Sequence, residues 1–128
     1  MTSYGIERTV SLSFAQAVQK VTEELKKEGF GILTTIDVKE TLKKKLDVDF
    51  HQYVILGACN PPFAYQALQT DEQIGLLLPC NVVVQTKGGK TTVSAFDPVS
   101  MGKLVENPQL ETIATEVRKR LERAIALI

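Results

Sequence analysis

The sequence predicts an α+β fold: one two-layer domain over residues 1–128, a mostly antiparallel sheet of about five strands, and two long helices packed on one face. Three observations predict it. Five short segments rich in β-branched and aromatic residues are separated by turn signals. Between and after them run helical periodicities, two of which span several turns and suit the cover of a sheet face. A chain of 128 residues is also the size of one domain, burying roughly two-thirds of the surface its unfolded form exposes.

The elements follow in order. Gly5–Leu12 reads as a first strand from its β-branched residues and rough alternation. Ser13 with Gln16 three residues on is a capping-box pattern, and Phe14, Ala17, Val18, Val21 and Leu25 continue it at helical spacing. Gly29 suits the left-handed residue that ends such a helix. Phe30–Val38 reads as a second strand, and Val38, Leu42 and Leu46, four apart, as a short amphipathic helix. Gln52–Leu56 begins a third strand that Cys59 closes. Asn60-Pro61-Pro62 opens a helix to about Leu68, with Asn60 as cap and Pro61 in the first turn, and a further short turn starts at Asp71. Pro79 delays the fourth strand to Cys80 or Asn81. Lys87-Gly88-Gly89-Lys90 is a hairpin turn, Thr91–Phe96 the returning fifth strand, and Val99–Leu104 a short helical segment. Asn107-Pro108 repeats the cap-plus-proline signal before Leu110, Ile113, Ala114, Val117, Leu121, Ile125 and Ile128, the strongest helical periodicity in the chain.

Fifteen basic and fifteen acidic side chains give zero net charge, which argues against nucleic acid as the main partner. No run approaches the roughly 18 apolar residues of a membrane span. Glu7 and Arg8 interrupt residues 1–12 where a signal peptide needs an apolar stretch, so a cytoplasmic protein is expected. The charge is unevenly spread. Residues 1–46 carry fourteen charged side chains, whereas His51–Gln85 carries only Asp71 and Glu72. A stretch this poor in charge belongs in the centre of the sheet or against a partner or ligand. It contains both cysteines and three of the five prolines.

Two cysteines in a cytoplasmic chain are neither a disulfide framework nor a full zinc site. Cys59 precedes a helix start, where the helix dipole lowers a thiol pKa. Cys80 opens the fourth strand, so an antiparallel pairing of strands three and four brings both thiols to one sheet edge. Three readings stay open: two buried apolar residues; a redox or nucleophilic thiol at Cys59 with Cys80 as its resolving partner; or a thiolate-bound metal such as zinc, needing more ligands from His51, Asp49, Asp37 or another subunit. No cofactor is otherwise expected.

His51 is the only histidine; seven strand steps, over roughly 20 Å, separate it from Cys59, so the two do not pair within one chain. Asn60 and Asn81 are candidate ligand-binding residues for an anion or carbonyl, although Pro61 and Pro62 remove two backbone donors there. Lys39, Lys43, Lys44 and Lys45 form the densest basic run, flanked by Asp37, Glu40, Asp47 and Asp49, as on a solvated helix face. Gly88-Gly89 is no phosphate loop, since no helix follows it. These residues leave a small-ligand or interaction module, with a small molecule, a protein or a second copy of the chain as partner, beside a thiol-dependent enzyme or metal-binding protein.

The segment Ile55-Leu-Gly-Ala-Cys-Asn-Pro-Pro-Phe-Ala-Tyr-Gln-Ala-Leu68, followed by Ile74-Gly-Leu-Leu-Leu-Pro-Cys-Asn-Val-Val-Val84, resembles the bacterial and archaeal domain-of-unknown-function family numbered 302. The Phe30-Gly31 strand entry, Asp37-Val38 and the Asp97-Pro98 stop extend the resemblance along the chain. It implies a compact α+β fold related to the TATA-binding-protein-like arrangement, and it carries no assigned activity.

Overall fold

In the computed structural model, which describes residues 3–128, five strands form one sheet in the order β1-β5-β4-β3-β2, with every neighbouring pair antiparallel. The strands are β1 (Gly5–Val10), β2 (Gly31–Asp37), β3 (Gln52–Cys59), β4 (Cys80–Lys87) and β5 (Lys90–Phe96). Four helices accompany them: α1 (Phe14–Lys27), α2 (Val38–Leu46), α3 (Pro61–Thr70) and α4 (Pro108–Ala126). Glu72–Leu77 and Pro98–Lys103 are short 3₁₀ segments, tighter than the sequence signals distinguish. Of the first twelve residues read for a leader, Met1 and Thr2 lie outside the described part.

The helix ends form as their sequences dictate. Ser13 Oγ accepts from the Gln16 backbone N–H at 3.2 Å, and Gln16 Oε1 accepts from the Ser13 N–H at 3.0 Å, closing the capping box. At the other end of α1, Gly29 takes φ +89°. The N–H of Phe30 then reaches Leu25 O and that of Gly29 reaches Lys26 O, which is a Schellman motif. This geometry leaves the Glu28 carbonyl without a helical partner, a detail that matters at the site. In α4, Asn107 Oδ1 accepts from Gln109 and Leu110 N–H, and Arg8 from β1 donates to the last carbonyls at Ile125 and Ala126.

Alternation along the strands builds the core. Val54, Leu56 and Ala58 of β3, Val82 and Val84 of β4, and Val93 and Ala95 of β5 are buried in one cluster. Ala17, Val21 and Leu25 of α1 join that cluster with Val117, Leu121, Ala124 and Ile125 of α4. The registers Val54↔Val84, Leu56↔Val82 and Val82↔Ala95 place these residues on a common face. A second, smaller cluster of Ala67, Ile74 and Leu110, with Leu77, Leu78, Met101, Val105 and Ile113 against it, joins α3, the two 3₁₀ segments and the start of α4.

The charge-poor stretch thus supplies central strands β3 and β4 together with the connection between them. The third strand runs three residues past the Leu56 of its apolar run, through Gly57, Ala58 and Cys59. Gly57 stays in the sheet because Thr34 and Pro79 close on its Cα, where a side chain would collide. The lysines of α2 face outward: Lys43 pairs with Asp47 and Asp49, and Lys44 with Glu40. Such exposed pairs are worth little stability. Among the described residues no helix is long and apolar enough to cross a membrane.

Candidate functional site

Ala58 of β3 stands opposite Cys80 of β4, so Cys59 and Cys80 meet at one end of the central strands. Both line a half-open cavity of about 360 Å³. Among its lining residues are Phe30, Ala58 and the two cysteines at the sheet, Phe63, Ala64, Ala67 and Leu68 of α3, and Ile113, Ala114 and Val117 of α4, with Ile74 and Met101 from the two 3₁₀ segments. No lining residue carries a formal charge, and Asn60 supplies its polar side chain. That is the profile of a small-molecule pocket, apolar walls with few polar groups.

The two thiols share this setting but differ in depth. Burial raises the Cys80 thiol from its ordinary value of 9.0 to about 11, with the nearby Cys59 adding to the effect. Burial also raises Cys59. The expectation that the helix start would lower the Cys59 pKa is therefore corrected. Pro61 and Pro62 occupy the first two helical positions and offer no N–H, so little remains of the donors that stabilise a thiolate. Desolvation wins, and both groups are held as neutral thiols at neutral pH.

Asn60 departs from its sequence reading in a second way. It occupies the N-cap position of α3 with extended backbone but makes no side-chain cap hydrogen bond. With two prolines following, the usual N2 donor is missing. Its side-chain amide instead donates to the Glu28 carbonyl at 3.2 Å, the oxygen that the Schellman turn leaves free. Arg120 Nη1 donates to that same oxygen at 3.2 Å. The Arg120 guanidinium lies over the Phe63 ring, 4.9 Å from its centre, and Nε contacts Glu116 at 3.4 Å. Asn60, Phe63 and Arg120 therefore converge on the C-terminal end of α1. Sequence reasoning missed Arg120, because it lies among alternating charges on the polar flank of α4 and only the fold brings it to Phe63.

The remaining candidates lie elsewhere. Asn81 is exposed and lines a separate cavity of about 530 Å³ with Tyr53, Val83 and Phe96. Its strand position pairs with the open side of the sheet, so Asn60 and Asn81 do not share a site. His51 sits at the opposite end of β3, its Nε2 2.9 Å from Gln85 Oε1 and its ring stacked on Phe50 at 4.2 Å. The structure does not bring His51, Asp37 or Asp49 to the thiols, and among the described residues no group of three or more His, Cys, Asp or Glu side chains is placed to hold a metal ion.

The architecture has counterparts among known proteins. The family model described as "Domain of unknown function DUF302" matches residues 6–128. A crystal structure of an uncharacterized conserved DUF302 protein from Bacillus stearothermophilus is similar, with a TM-score of 0.90 and 32% identity over 98% of each chain. No curated protein matches. By its sequence and its fold, the chain belongs to the DUF302 family.

Proposed function

We propose that this domain is a small-ligand-binding module whose site is the cavity bordered by Cys59 and Cys80. One observation carries the reading: about 360 Å³ of space among apolar side chains at the sheet end, where close packing is the norm in a domain core. Such a volume is at the lower end of ligand pockets. The neutral state of both thiols supports their acting as lining, and the thiol-dependent redox or metal-binding alternative draws its support from their adjacency alone. The two long helices sharing one core cluster support the finer TATA-binding-protein-like description, and the free cysteines suit a reducing, cytoplasmic setting.

The test is titration with Nile red, an uncharged apolar dye, monitored by fluorescence. Saturable binding is expected in the native protein, and its loss in Ala67→Phe, which fills the cavity, provided circular dichroism shows that variant folded. A second filling variant, Ala114→Phe, guards against a misfolded first one. Dye binding that persists in folded forms of both variants, or absence of binding to the native protein, refutes the reading.

A further inference from the structure

We propose that the ligand is an amphipathic monocarboxylate, its apolar tail in the cavity and its carboxylate on Arg120 at the rim beside Asn60. The inference rests on the ligand-binding reading and adds the chemical class. An engineered apolar cavity of about 150 Å³ accommodates benzene; the space here is a little over twice that, which suits a tail and headgroup of about twelve heavy atoms. The walls offer the tail no charge and no strong acceptor. Asn60 is the one amide side chain of the lining, and the Arg120 guanidinium stands just outside it, over Phe63 and on the same Glu28 carbonyl that the Asn60 amide reaches.

Arg120 is suited to an incoming anion. Its fork carries five N–H donors, and the contacts to Glu28 O and Glu116 engage Nη1 and Nε, leaving three. The Glu116 contact, at 3.4 Å, is long for a charge-assisted hydrogen bond, so a ligand carboxylate can displace it. The other nearby carboxylate is occupied, since Glu28 Oε1 is 2.7 Å from Arg123 Nη2. Phe63 both lines the cavity and lies under the guanidinium, which fixes the cation at the rim while leaving it one-third exposed. A cationic headgroup meets the opposite situation: no acidic residue lines the cavity, and Arg120 repels it.

The experiment compares decanoate, decanol and decylamine at pH 7.5 by calorimetry on the full chain. Decanoate is expected to bind about tenfold or more tightly than decanol, in line with a charge-assisted bond, and decylamine more weakly still. Arg120→Gln should remove the decanoate preference while leaving decanol affinity unchanged, which also shows that the variant is folded. Equal affinities for the three probes, or a preference that survives Arg120→Gln, overturns the carboxylate assignment and leaves the cavity reading standing. No binding of any probe, together with no Nile red binding, overturns both.

Discussion

Gly57 lies opposite Thr34 in the β2–β3 ladder, and the Thr34 hydroxyl occupies the space a side chain at position 57 would need. On the other side, Pro79 Cγ stands 2.9 Å from the same point. Gly57→Ala should destabilise the domain by about 1–3 kcal/mol through overpacking. Thr34→Ala in the same chain should recover part of that loss, and the proline contact should prevent full recovery. Chemical unfolding of the two single variants and the double variant gives the coupling directly.

The thiols should be slow to alkylate. With Cys80 raised to about 11, iodoacetamide at pH 7.5 should modify native Cys80 far more slowly than the unfolded chain, and Cys59 should react before Cys80. Mass spectrometry of timed samples checks the order. The linkage follows in sign. A folded-state pKa above the unfolded one means the unfolded chain ionises first, so stability is full below about pH 9 and falls as pH rises toward 11. The loss attributable to Cys80 is on the order of 2 kcal/mol, and Cys80→Ala should flatten the alkaline arm of the urea-midpoint curve.

Acid should act through two carboxylates of α1. Glu24 is held below its ordinary 4.5 mainly by its hydrogen bond from Lys27, at 2.7 Å, against a burial effect in the other direction. Glu28 is lowered chiefly by its hydrogen bond from Arg123. A lowered carboxylate contributes stability above its unfolded pKa and loses it as pH falls through the folded value. Urea midpoints should therefore decline below about pH 4.5, less steeply in Glu24→Gln and Glu28→Gln.

Gly29→Ala tests the rim of the cavity. The residue has φ +89°, and an added Cβ would stand 3.0 Å from Asn60 Nδ2 and 3.7 Å from Arg120 Nη1. The backbone strain alone should cost about 1 kcal/mol. The crowding should also push Asn60 off the Glu28 carbonyl, and a crystal structure of the variant would show that displacement.

Much of the fold was legible because its signals are local. Ser13 with Gln16, Asn107 with Pro108, and Gly88-Gly89 each determine a backbone turn from within a few residues, and the structure holds all three. The apolar repeat of α4 likewise names its buried face. The Cys59–Cys80 proximity was readable one level up, from strand polarity. The rest depends on distant contacts. Nothing local to Gly57 shows that Thr34 and Pro79 close on it. Asn60 reads as a cap until two prolines withdraw the donors and the free Glu28 carbonyl offers another partner. Arg120 carries no local sign of its position over Phe63, fifty-seven residues earlier.

The connection from Asn60 to Pro79 has one more consequence. Antiparallel neighbours such as β3 and β4 need only a two-residue turn between them, yet here twenty residues intervene. Those residues provide α3 and one 3₁₀ segment while the ladder on either side runs without them. They are topologically optional, since the pairing of β3 with β4 needs no excursion between them, although Phe63 and Pro79 pack back onto the core and the ladder. Substitutions at the α3 residues that line the cavity can therefore reshape its wall without altering any residue of the ladder.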